Sequence, residues 1–155
     1  MALPTPVQAG DVVGFRFPTC EATHPHPGIV LQSYEGAQRA SVLKARGVKD
    51  RAGLQVCLVL MVSHSPPPKG QFGELIRSDH KAGTSLDGVK DIYVCYEIFD
   101  LAFVPGQERT IQSVNGPYLG RLSEEALIYY ASQFREVQAY LKGKSFKPPK
   151  GVYRV

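Results

Sequence analysis

Apolar and polar residues alternate along several short stretches of the chain, which is the pattern of half-buried β-strands. Residues 11–17 (DVVGFRF) follow this pattern. Residues 56–62 (VCLVLMV) are apolar throughout, so we expect a strand that is buried on both faces. Further strands are predicted at 28–33, 73–77 and 91–98, with a possible sixth at 110–114. Short strands without helices between them favour an antiparallel barrel or sandwich over a parallel sheet.

Two other segments are predicted from their polar residues and prolines. Residues 35–53 are polar and rich in Lys and Arg, and they form either a long loop or a weak hairpin around residues 40–45. The three prolines at 66–68 end the strand at 56–62, because proline does not donate to a β-ladder.

One amphipathic helix is predicted near the end of the chain. Ser123 is a favourable N-cap, and two glutamates follow it in the first turn. Gly143 supplies a stop signal. Apolar residues recur between these points at helical spacing, so one stripe should face the sheet: Leu127, Tyr130, Phe134, Val137 and Leu141.

Length and charge fit one domain with a basic end. A chain of 155 residues with 43% hydrophobic and 21% charged residues is long and apolar enough for a single core. We expect this domain at 1–143 and a loosely ordered tail at 144–155. The net charge is +4, and residues 141–155 hold five Lys and Arg without an acid. Such a tail is either a solvated terminus or a contact for nucleic acid or an acidic partner.

The sequence also predicts where the protein acts. It shows neither a membrane-spanning apolar run nor a secretory signal at its start, so we expect a cytoplasmic protein that has no contact with membranes. Its three cysteines, Cys20, Cys57 and Cys95, are widely spaced, which indicates neither a disulfide framework nor a zinc site. Cys57 and Cys95 lie in apolar runs and should be buried thiols.

Candidate chemistry is concentrated in two places. The loop at 18–27 carries Glu21, His24 and His26, and histidine exchanges protons near neutral pH. Its prolines also fit a stiff turn with solvated histidines, and the histidine spacing is a weak metal signal, so no metal or cofactor is predicted. The second place is Ser63-His64, directly after the most apolar strand. Because neighbours in a strand point to opposite faces, this dipeptide alone does not make a nucleophile and base pair. A phosphate-binding hydroxyl is the more realistic role for the serine.

Five short motifs follow one another along residues 9–141: Gly10-Asp11 at a strand start, Pro18-Thr19, His26-Pro27-Gly28 leading into aliphatic residues, Met61-Val62-Ser63 at a strand end, and Gly120-Arg121-Leu122-Ser123 before the helix. Their order resembles that of the MazF/PemK-like toxins of bacterial toxin–antitoxin pairs.

Members of that family are SH3-like barrels with a C-terminal helix that form homodimers, bind an antitoxin protein and cut single-stranded RNA without a metal. The resemblance implies the same mainly β, SH3-like barrel and the same activity here. It implies that His26 is a general acid or base and that Ser63 binds phosphate through its hydroxyl, with His64 as a third catalytic candidate. Candidate RNA contacts are Arg16, Thr19 and Lys69.

Two positions depart from the family pattern. His26 stands where the family has an arginine before proline, and Ser63 stands where it has a threonine. A histidine moves protons but lacks the fixed charge and the fork of donors that arginine offers to phosphate. Two functions therefore stay open: a toxin-like endoribonuclease, or a catalytically inactive barrel that binds RNA or an antitoxin-like peptide.

Overall fold

The computed structural model describes residues 3–18, 25–67, 70–107, 109–111 and 117–154, and in this part of the chain seven strands form one antiparallel sheet. The strands are β1 (Asp11–Phe15), β2 (His26–Ser33), β3 (Gln55–Ser63), β4 (Phe72–Leu75), β5 (Tyr93–Phe103), β6 (Tyr118–Arg121) and β7 (Tyr153–Arg154). Their order across the sheet is β6-β1-β2-β3-β5-β4-β7. The helices are α1 (Gly36–Arg46), a short 3-10 helix (Ser78–Lys81) and α2 (Glu124–Leu141).

The sheet has two edges and is not a closed barrel. Strands β6 and β7 lie at opposite ends of the strand order. Thr110 makes an isolated bridge to Phe15 of β1, and residues 112–114 of the possible sixth strand lie outside the described residues. The prediction of a mainly β protein with a C-terminal helix is confirmed, but the closed barrel is wrong. Local alternation indicates strands, whereas closure depends on pairing between distant edges.

Strand β3 is buried on both faces, as predicted, and has more buried residues than any other strand, although the shorter β1 is buried at every position. Its residues from Gln55 to Val62 are buried, and only Ser63 is partly exposed. The side chains at even positions join a core shared with α2, and those at odd positions join a second core with Phe15 and Phe103. Two neighbouring strands, β2 and β5, complete the ladder on both sides of β3. Because both faces of β3 are covered, its residues are apolar at successive positions and do not alternate with polar ones.

Helix α1 corrects the prediction for residues 35–53, which was a loop or a weak hairpin. The helix ends in a Schellman motif, in which the Gly47 N–H donates to Lys44 O and the Val48 N–H to Leu43 O. Gly47 takes the left-handed conformation that this motif requires, with φ 65°. Leu43 is the only buried residue of the helix, so most of its surface faces solvent. A single buried leucine leaves no apolar periodicity for a sequence pattern to detect.

Helix α2 begins where the sequence predicted. The Ser123 hydroxyl accepts a hydrogen bond from the Ala126 N–H at 3.1 Å. Tyr130, Phe134 and Val137 are buried, but Leu141 is 53% exposed, so the predicted apolar stripe ends one turn early. A second Schellman motif follows the helix, with Gly143 at φ 74°.

The end of the chain returns to the sheet. Within the segment 144–155, which was predicted to be loosely ordered, β7 pairs with β4. The Gln133 side chain of α2 also donates to Lys150 O at 2.8 Å. None of the described helices has the length and apolar character that a membrane span needs.

Candidate functional site

The β2–β3 ladder brings His26 and Ser63 together. Its register pairs Gly28 with Met61, and the same register continued by two residues places His26 opposite Ser63. On its other side, His26 pairs with Phe15 of β1. Residues directly opposite in an antiparallel pair have Cβ atoms about 4.5–5.5 Å apart, so the two side chains are close enough to act on one ligand.

Gly28 allows this close packing of β1, β2 and β3. A Cβ atom at this position would lie 2.6 Å from both the Phe15 ring and a Val59 methyl group. Only glycine therefore lets β2 pass between these two side chains without a shift. The Pro27-Gly28 pair of the sequence motif thus has a packing role next to His26.

His26, Ser63 and His64 line one cavity of about 450 Å³. His64 follows the end of β3, where the Ser65 N–H donates to the Ser63 hydroxyl at 3.1 Å and the chain turns. Because His64 lies beyond the strand, the alternation rule does not separate it from Ser63. The structure therefore brings together the three side chains that the sequence predicted to be catalytic.

The rest of the cavity is apolar, with two further hydroxyls. Ser65 and Ser85 line it, together with a set of apolar side chains: Val62, Leu86, Val89, Ile92 and Leu119. Ser85 was not predicted, because it is 21 residues from His64, the nearest of the catalytic candidates. Its segment is fixed to β6, since the Ser85 N–H donates to Leu119 O at 2.8 Å and Thr84 bridges Gly120. No local pattern could have found it.

The Asp79-His80-Lys81 sequence supports the fold beside this cavity. His80 is buried, and its Nδ1 atom lies 2.8 Å from the Tyr130 hydroxyl. Lys81 is also buried, and its ammonium group donates to the carbonyl of Val89, which lines the cavity. These contacts give both residues a structural role in holding the cavity wall.

The predicted RNA contacts lie elsewhere or outside the described residues. Arg16 is exposed just beyond β1, and its N–H donates to Arg109 O at 2.9 Å. It does not line the His26 cavity. Thr19 and Lys69 lie outside the described residues, as do Glu21 and His24 of the same loop.

The cavity has the groups for proton transfer but few charges. In the part of the chain that the structure describes, no Lys, Arg, Asp or Glu lines it. Two imidazoles offer one proton acceptor and one proton donor when one ring is protonated, and a protonated ring also supplies a positive charge. Across the described ranges, no three His, Cys, Asp or Glu side chains form a group that could hold a metal ion.

Comparisons with known proteins add no family to this picture. No protein-family model matches the chain, and searches of curated proteins and of solved structures found no match.

Proposed function

We propose that this protein is a metal-independent endoribonuclease that cuts single-stranded RNA in the His26 cavity. The observation that carries the proposal is the convergence of His26, His64 and Ser63 on one cavity with apolar walls. Two imidazoles beside a hydroxyl are a sufficient set for cleavage of RNA by its own 2′-hydroxyl.

In the proposed reaction, one imidazole accepts the proton of the ribose 2′-hydroxyl, and that oxygen attacks the adjacent phosphorus. The bond from phosphorus to the 5′ oxygen breaks, and the other, protonated imidazole donates a proton to that leaving oxygen. The products are a 2′,3′-cyclic phosphate and a 5′-hydroxyl. The Ser63 hydroxyl accepts from the Ser65 N–H, so its own proton is available for a non-bridging phosphate oxygen.

The relation to MazF/PemK-like toxins belongs to this proposal. It is supported by the motif order and by the site positions of His26 and Ser63, which the β2–β3 register brings opposite each other. On this relation we also propose that the open sheet is related to the SH3-like fold. We further propose that the protein is a cytoplasmic homodimer that binds an antitoxin protein. Light scattering tests the dimer, because it should report twice the 17.0 kDa chain mass at micromolar concentration.

One observation favours a second function, a catalytically inactive module that binds RNA or an antitoxin-like peptide. The described lining of the His26 cavity contains no Lys or Arg, so a phosphorane charge would be neutralised only by imidazolium and hydroxyl groups. In this alternative His26 has replaced the family's arginine, and the site has lost its catalytic activity.

Two variants at His26 separate these functions. His26→Gln keeps a polar side chain but removes proton transfer, and the cleavage rate should fall by about 10²- to 10⁴-fold. His26→Arg restores the family's cation and should also cut more slowly than the natural chain. Gln32→Ala, an exposed change on the same strand, is the control and should leave cleavage unchanged. Faster cleavage by His26→Arg, or an unchanged rate in His26→Gln, would reject the catalytic role.

A further inference from the structure

A second cavity, of about 460 Å³, lies at the other end of the β3–β5 pair. Leu54, Leu101 and Ala102 form part of its wall, and Leu101 pairs with Cys57 near the start of β3. Ser63 of the His26 cavity is six residues further along β3, which corresponds to about 20 Å at 3.3 Å per residue. The two cavities are therefore separate sites.

Four cationic side chains line this second cavity, and they come from two distant parts of the chain. Arg46 is the last residue of α1, and Lys49 and Arg51 follow in the next turn. Arg109 belongs to the segment after β5. Arg109 is held near β1 by two backbone contacts with Arg16: the Arg16 N–H donates to Arg109 O, and the Arg109 guanidinium donates to Arg16 O at 3.3 Å.

Cations outnumber carboxylates by four to one among the described residues that line the cavity. Asp100 is the only acidic residue among the described residues that line the cavity, and it accepts a hydrogen bond from the Tyr34 hydroxyl at 2.7 Å. Asp50 is bound by both terminal nitrogens of Arg39, at 2.7 and 2.8 Å. Like charges around one cavity repel each other, and a bound anion would reduce that repulsion.

A structural role accounts for only part of this arrangement. Arg46 in the last turn of α1 interacts favourably with the negative end of the helix dipole. That interaction does not explain Lys49, which lies beyond the helix, or Arg109, which is about sixty residues away in sequence. The convergence of separate basic segments on one concave surface is what a ligand with several negative oxygens requires.

We propose that this second cavity binds the phosphate groups of a nucleotide or of an RNA backbone. Arginine binds phosphate oxygens through paired N–H donors, and three of the four cations here are arginines. The proposal does not rest on cleavage in the His26 cavity, since it concerns binding at a site about 20 Å away.

The test uses the full chain with His26→Gln as background, which slows any cleavage that depends on His26, and a gel run after each measurement checks that the RNA is still intact. Two probes distinguish the sources of phosphate: inorganic pyrophosphate, measured by calorimetry, and a fluorescein-labelled oligouridylate, measured by anisotropy over a range of salt concentrations. The test variant combines Arg46→Gln with Arg109→Gln. The control combines Lys44→Gln with Arg77→Gln, which removes the same charge from exposed residues that do not line the cavity.

We expect the test variant to lose affinity by about 10-fold or more and the control to lose much less. A loss of affinity for pyrophosphate in the test variant identifies a site for free phosphates and nucleotides. Loss for RNA alone, with the slope of log affinity against log salt reduced by about two, identifies a backbone site. No binding of either probe by the background protein, or equal losses in the test and control variants, overturns the proposal. The pyrophosphate result does not depend on whether His26 is catalytic.

Discussion

Replacing Tyr96 by phenylalanine should lower the free energy of unfolding by about 2 kcal/mol, because it removes a hydrogen bond to a buried carboxylate. The Tyr96 hydroxyl donates to Glu74 Oε1 at 2.6 Å, and Glu74 is only 5% exposed. Two side chains of α2 donate to the same carboxylate: Gln133 at 3.2 Å and the Tyr129 hydroxyl. This group therefore joins β4, β5 and α2 through one acidic side chain.

The magnitude follows from what the substitution changes. The ring of Tyr96 is fully buried and stays in place, so packing is preserved and only the hydroxyl is lost. Hydrogen bonds to charged groups contribute about 1.5–3 kcal/mol, and Glu74 keeps its two other donors, which places the loss near 2 kcal/mol. For a chain of this size, each kcal/mol shifts Tm by about 2–4 °C, so Tm should fall by about 4–8 °C.

Urea unfolding followed by circular dichroism measures this effect. The matched control is Tyr140→Phe, because the Tyr140 ring packs on Phe72 while its hydroxyl makes no hydrogen bond within the described residues. The control should unfold within about 0.5 kcal/mol of the natural chain. If Tyr96→Phe were as stable as the control, Glu74 would not be the joining group that the structure indicates.

Three further predictions concern buried groups. Burial raises the pKa of Cys57 to about 12, so in a Cys20→Ser protein a thiol reagent at about pH 8 should label Cys57 only after unfolding; rapid labelling of the folded protein would contradict this. Burial and the hydrogen bond to Glu74 raise the pKa of Tyr129 from 10.0 to about 12. Its stabilising effect is complete below pH 10 and is lost as the pH rises to 12, so the free energy of unfolding in urea should fall over that range. Arg121→Ala removes the 2.9 Å ion pair of the buried Asp11 and should cost about 1–3 kcal/mol in the same measurement.

The sequence predicted the elements whose signals are local. The continuous apolar run of β3 indicated burial on both faces, and the Ser123 cap located the start of α2 to the residue. Helix α1 was missed because it packs on the core only through the buried Leu43 and the partly buried Val42, so no apolar stripe exists to be detected. Leu141 has the spacing of the buried stripe, but the chain turns away after Lys142, and spacing alone does not show where the sheet ends.

The candidate site was predicted only in part, because some of its residues are brought together by contacts between distant segments. His26, in a predicted loop, and Ser63, directly after a predicted strand, were proposed from chemical type and from the family resemblance, and the register of β2 and β3 places them opposite each other. Neither Ser85 nor the second cavity could be predicted from the sequence. Arg109 and Arg46 line the same cavity because distant segments pair in the folded sheet, and no local sequence pattern contains that information.

The central claim is that RNA is cleaved in the His26 cavity by proton transfer, without a metal. The chemical structure of the cut ends tests this claim most directly. The purified chain should be incubated with a mixed-sequence single-stranded RNA in excess chelator, and the products analysed by mass spectrometry. We predict fragments with 2′,3′-cyclic phosphate and 5′-hydroxyl ends, absent from a parallel reaction with a His26→Gln, His64→Gln double variant. RNA left intact after prolonged incubation, or fragments with 3′-hydroxyl and 5′-phosphate ends, would contradict the claim.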